Sequence, residues 1–183
     1  MKLLKRKIKI IILSGKARSG KDEVADIILN YYKDKKIKKL SYAYYLKQYV
    51  KDISNWDGSE ETKPRELLQF IGIDLLKNKI DNKLLIRRML EDILVFSYFY
   101  DIIVITDARL IDEVEDIKGK YLDSISIRVN RNLDNNLTSE EKKHITETNL
   151  DNYDFDYVID NNADYDNLVN KVNNILEEIK WVR

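Results

Sequence analysis

One stretch constrains the fold more than any other: "IKIIILSGKARSGKDEVADIIL", Ile8 to Leu29. An apolar, β-branched run reads as a buried central strand. It ends at Gly15, and Gly20-Lys21 follows after four residues. Beyond Gly20 the apolar period changes: Val24, Ile27, Ile28 and Tyr31 fall on one face of a helix. A glycine-rich turn between strand and helix aims several backbone N–H groups at one point, and the helix dipole favours an anion there. Gly15, Lys16, Ala17, Arg18, Ser19, Gly20, Lys21 and Asp22 therefore form a candidate phosphate-binding loop, with Lys21 as the cation that meets the phosphates. The eighth position is unusual, since Asp22 stands where Ser or Thr is the common choice. A tight turn with a helix-start acid would explain Asp22 alone, but not the two glycines, three cations and serine beside it.

The 183 residues suit one domain, read as 1–183. Lys plus Arg equals Asp plus Glu at 32 each, so no positive surplus exists to drive binding to a nucleic-acid polymer. The absence of cysteine excludes disulfides, thiolate metal sites and cysteine nucleophiles. No apolar run is long enough to span a bilayer, and the amino-terminal segment reads as a strand rather than a leader. The expected location is the cytoplasm.

Strand and helix patterns alternate along the rest of the chain. "KIKKLSY" reads as a second strand and "AYYLKQYVKDI" as a helix. Pro64 fits the first turn of "PRELLQFI". The longest helix is expected within Asn82 to Tyr100, with Ile86, Leu90, Ile93 and Ser97 in one stripe. "DIIVITD" is a second central strand ending at Asp107, and "IDEVEDIKGK" a helix that Gly119 should stop. "DSISIRV" and "FDYVID" are further strands. The last helix turns Leu168, Val172, Ile175, Ile179 and Val182 inward. This alternation predicts a three-layer α/β/α fold with a five-stranded parallel sheet. Ligands of such sheets sit at the strands' carboxyl ends, where the loop and Asp107 to Arg109 both belong.

The loop "SGKARSGKDEVADIIL" resembles that of the bacteriophage deoxynucleoside monophosphate kinases and the related animal phosphomevalonate kinases, which carry Asp in the Ser/Thr slot. "LSYAYYLK", "PRELLQFIGIDLLKN", "VITDARLIDEVEDIK" and "HITETNLDNYDFDYVIDNN" resemble further family segments in the same order. Glu23, Ala108, Leu110, Asp112 and Thr146 depart from the family pattern, and Glu23 is expected to face solvent. The resemblance implies a phosphate-loop nucleoside monophosphate kinase that uses ATP and Mg²⁺ on a deoxynucleotide. It implies that Asp22 lies near the metal and that about 42–100 forms an acceptor-binding helical region, while the polar stretch of about 130–149 reads as a loop or lid. It is also compatible with a homodimer. A phosphomevalonate-type kinase and a non-catalytic nucleotide-binding protein are the alternatives.

Asp107 ends a strand where phosphate-loop enzymes hold a magnesium-associated carboxylate, which makes Asp22 and Asp107 the candidate metal residues. Arg109 is a candidate clamp on the transferring or acceptor phosphate, against a surface pair with Asp112 or Glu113. Arg65 and Gln69 share a helix face, and by the resemblance they and Lys47 meet the acceptor, Arg65 its phosphate and Gln69 its base. Arg131 is the candidate lid cation. Arg87 and Arg88 diverge by about 100° around their helix, so at most one faces the site. His144, the single histidine, reads as structural, because a phosphate acceptor is already ionised and needs no base.

Overall fold

The computed structural model describes residues 4–132, 138 and 142–181. Five strands pair in parallel in the order β2-β3-β1-β4-β5: β1 (Lys9–Ser14), β2 (Ile37–Leu40), β3 (Ile102–Ala108), β4 (Ser124–Asn130) and β5 (Tyr157–Asp160). The connection from β1 runs to one side of the sheet and that from β3 to the other, so the order reverses between these two neighbours. Their carboxyl ends flank the crevice where ligands of open parallel sheets bind.

Side chains alternate across β1, and the two faces build separate cores. Ile11 and Leu13 pack with Val24 and Ile28 of α1 (Lys21–Tyr31) and with Leu168 and Val172 of the carboxyl-terminal helix. Ile10 and Ile12 pack with Ile86 and Ile93 of α4 (Leu84–Phe96) and Val114 and Ile117 of α5 (Ile111–Lys120). This is the expected three-layer arrangement.

Between β2 and α4 the chain leaves the sheet as a helical arm: α2 (Ala43–Ser54), α3 (Arg65–Gln69) and a π-helix (Phe70–Ile80) that continues α3. Asp81 N–H closes the π-helix on Leu76 O, five residues back, at 2.8 Å. Val50, Trp56, Ile71 and Leu76 form a third, small core inside the arm. Gly72 lets α2 lie close, since a Cβ there would stand 3.1 Å from Leu46 Cδ2.

After β4 come α6 (Ile145–Thr148) and then α7 (Tyr165–Ile179), the carboxyl-terminal helix. The candidate lid 130–149 lies only partly within the described residues, as α6 and its flanks, and Val182 lies outside them. Four expectations are corrected. Tyr31 is exposed and its neighbour Tyr32 is buried instead. Pro64 caps α3 from outside rather than sitting in its first turn. Gly119 does not end α5, which continues to Lys120 and stops where Tyr121 turns extended. The longest described α-helix is α7, not α4. No described helix is long and apolar enough to cross a membrane.

Candidate active site

The loop between β1 and α1 depends on its two glycines. Gly15 passes so close to the Val129 carbonyl that a Cβ would strike it. Gly20 caps α1 at φ 93°, a conformation L residues rarely adopt, with Asn161 Nδ2 where a Cβ would go. Asn161 is buried and donates to Ser19 O at 3.0 Å, which braces the back of the loop. Arg18 is also held in the left-handed region, at φ 61°. Such strain in a non-glycine residue is characteristic of functional turns.

Lys21 folds back across this loop. Its Nζ donates to Gly15 O at 2.7 Å and Lys16 O at 2.8 Å. Burial, and next the Arg109 guanidinium, draw its ammonium down to about 7, against a smaller opposing pull from Glu147, Asp22 and Asp107. A buried cation held near its titration point is a receptor for an anion.

A cleft of about 680 Å³ opens in front of the loop, between the sheet's carboxyl edge and the arm. Ala17, Arg18, Lys21, Asp22, Asp107 and Arg109 line its sheet side. Lys47, Arg65 and Gln69 line the arm side, joined by Lys63, which the sequence analysis missed although it directly precedes Pro64-Arg65. Leu46, Leu68, Ile73 and Leu76 give the arm side an apolar wall. Lys63 pairs with Glu60 at 2.8 Å. Gly15 and Lys16 lie at the loop's other flank, near Arg128, while Ser19 is buried. Glu23 is exposed, as expected.

Asp107 has a structural task besides its cleft position. It accepts from Ser41 Oγ at 2.7 Å, Tyr42 N at 2.8 Å and Ala43 N at 3.0 Å, and so caps α2 from another element. Arg109 pairs with neither Asp112 nor Glu113 through its guanidinium. Nη1 meets Glu147, and Thr146 O at 3.4 Å. Glu113 instead accepts from the Arg109 and Leu110 backbone N–H groups at 2.7 and 3.1 Å, fixing the turn that presents Arg109. Burial outweighs those two donors and pushes the Glu113 carboxyl up to about 8.

Three other expectations resolve here. Arg131 is exposed beyond β4 and does not line the cleft. Neither Arg87 nor Arg88 lines it: Arg87 pairs with Asp81, while Arg88 lies over the Tyr45 ring and donates to Tyr49 OH at 3.0 Å. His144 caps α6, its Nδ1 accepting from Thr146 N at 3.3 Å, as a structural histidine would.

Among the described residues no three carboxylates or histidines converge as a metal cage. Magnesium does not require one, because one or two carboxylates plus substrate phosphates are its usual protein setting. Asp22 and Asp107 on the same cleft wall fit that requirement.

The fold is shared by solved structures, two kinases among them. The Mycobacterium tuberculosis APS kinase in complex with AMPPNP and APS aligns at 12% identity over 94% of this chain and 99% of its own, with a TM-score of 0.55. Dephospho-CoA kinase from Campylobacter jejuni aligns at 13% identity over 94% and 98%, also with a TM-score of 0.55. TT1252 from Thermus thermophilus aligns at 14% over 93% and 97%, again at 0.55. No match is found among curated proteins. A family model described as deoxynucleotide monophosphate kinase matches residues 36–172, well over half of the chain. The match begins beyond the phosphate loop, so the loop geometry and the family match are separate lines of support. They agree on a phosphate-loop phosphotransferase, and the chain belongs to the deoxynucleotide monophosphate kinase family.

Proposed function

We propose that the protein transfers the γ-phosphoryl group of ATP to a deoxynucleoside monophosphate, giving ADP and the deoxynucleoside diphosphate. The observation that carries this reading is the two-sided cleft. A phosphate loop with Lys21 and Arg109 faces Arg65, Lys47 and Lys63 across one space, so two phosphorylated ligands have cations of their own. A nucleotide switch needs only the first set. The apolar wall of the arm, with Gln69 beside it, favours an acceptor that carries a base over a small acidic one such as phosphomevalonate.

In this reading the loop N–H groups and Lys21 bind the donor phosphates, and Arg65 binds the acceptor phosphate. Arg109 bridges to the transferring group with a fork that Lys cannot copy. An ionised acceptor oxygen bonds to the γ-phosphorus as the β,γ-bridging P–O bond breaks. The acceptor needs no base, so catalysis is positioning plus charge neutralisation. Magnesium would be held by Asp22 and Asp107 and would neutralise phosphate charge. Arg131 would contribute only from a lid position. The test is ATP consumption with each deoxynucleoside monophosphate in turn, with phosphomevalonate and acceptor-free reactions alongside. Turnover with at least one deoxynucleotide is expected. Turnover with phosphomevalonate alone, or nucleotide binding without transfer, would replace the reading with one of its alternatives.

A further inference from the structure

The segment from Thr146 to Asp151 carries two carboxylates four residues apart, and each ties one loop residue to one arginine near a strand end. Glu147 accepts the Ala17 N–H at 3.2 Å through Oε2 and meets Arg109 through Oε1. Asp151 takes Lys16 Nζ and Arg128 Nη2, each at 3.0 Å. Their settings differ. The Asp151 side chain is 35% exposed and grips the loop from outside, whereas that of Glu147 is 9% exposed and lines the cleft. Glu147 is also the strongest acidic influence holding Lys21 charged. A buried carboxylate is stable only with charge-assisted partners. The partners of Glu147 are a phosphate-loop N–H and a guanidinium, the donors that suit a phosphoryl oxygen.

We propose that Glu147 is a positioning residue that competes with the terminal phosphoryl group of ATP for Arg109 and the Ala17 N–H, and thereby sets the discrimination between ATP and ADP. The inference rests on the kinase reading above. ATP must take the guanidinium from Glu147, whereas ADP leaves the pair intact. After transfer, the return of Glu147 to Arg109 draws the guanidinium off the product phosphate.

The test uses Glu147→Gln, which keeps the shape and an oxygen for the Ala17 N–H but loses the charge. Binding of Mg-ATP and of Mg-ADP is measured by calorimetry on the parent, on Glu147→Gln and on Asp151→Asn, with thermal unfolding alongside. Glu147→Gln should bind ATP about tenfold tighter and ADP within about twofold of the parent, a charge-specific effect. Its kcat should fall, because the anion that aims Arg109 is gone. Asp151→Asn should shift both nucleotides by the same factor. If Glu147→Gln does not fold, Glu147→Asp should show a smaller shift of the same kind, since its shorter chain cannot span both donors. Equal shifts for ATP and ADP in the Glu147 variants, no shift, or selectively weaker ATP binding would make Glu147 a structural brace and overturn the proposal. If the folded parent binds neither nucleotide, the kinase reading falls and the proposal with it. If the parent phosphorylates an acceptor while the ATP-to-ADP ratio stays fixed, only the proposal falls.

Discussion

Lys21 spends its hydrogen bonds on the carbonyls of its own loop, and burial with Arg109 nearby brings its ammonium down to about 7. Phosphate oxygens would supply the missing counter-charge and raise it again. ATP binding near pH 8 should therefore draw a proton from solution, measurable by calorimetry in buffers of different ionisation enthalpy. Lys21→Ala should abolish that uptake and nearly all turnover, at a cost of several kcal/mol in transition-state stabilisation. Turnover within about threefold of the parent would refute its assignment. Asp22→Asn should raise the magnesium concentration needed for activity more than it raises KM for ATP; superimposed magnesium curves would leave Asp22 as a helix-start acid only. Glu113 carries a pH dependence of opposite origin. Its folded value, about 8, lies above the ordinary carboxyl value of 4.5. Its contribution to stability is thus complete below that ordinary value and is lost as pH rises through about 8. Denaturation of the parent and of Glu113→Gln at pH 6 and pH 9 isolates this effect. The parent should lose stability relative to the variant, by at most about 1.4 kcal/mol per unit of displacement.

At the scale of elements, the turn after β3 and the start of α3 bring different arginines to one cleft. Arg65→Lys should mainly raise KM for the monophosphate, because α3 contributes binding that is uniform through the reaction. Arg109→Lys should lower kcat as well. Steady-state kinetics with each substrate varied separates them, and weaker ATP binding with an unchanged acceptor constant in Arg65→Lys would move Arg65 to the donor side. Much of this was legible in the residues. Uninterrupted apolar strands and the Gly15-to-Lys21 spacing located the sheet edge, and the Asp107-x-Arg109 pair lay directly after a strand. Other features were not legible for physical reasons. The π-helix gives no distinct period in eleven residues, so the helix read in "PRELLQFI" stops at Ile71, whereas the π-helix runs on to Ile80. Glu147 meets its partners across 38 and 130 positions of sequence, and Asn161 meets Ser19 across 142, distances over which local pattern carries no signal. Gly119 misled because a glycine on the exposed last turn is tolerated, and the helix ends only after Lys120, where Tyr121 turns extended.

For the whole molecule, the division of apolar side chains matters most. The sheet is buried between two cores, whereas the arm keeps its own small cluster around Trp56, and Leu85 of α4 packs against both the arm cluster and one sheet core. The chain has two tryptophans, Trp56 and Trp181. In a Trp181→Phe variant, emission reports the arm alone. Denaturant should then release Trp56 before the sheet's far-ultraviolet signal is lost, and a saturating acceptor monophosphate should bring the two transitions together. Coincident transitions without acceptor would show that arm and sheet unfold as one unit.

A separate core beneath the acceptor wall also bears on how such a chain can change. Leu46, Leu68 and Ile73 line the cleft from the arm, whose core is distinct from that of β1, so substitutions there should be absorbed by the arm. In the proposed reading, drift in acceptor preference would be decoupled from the loop that would hold ATP. On that reading such a chain could take up new acceptors through small, individually tolerable steps, while the loop stays fixed by the close approach of Gly15 to Val129 and of Gly20 to Asn161.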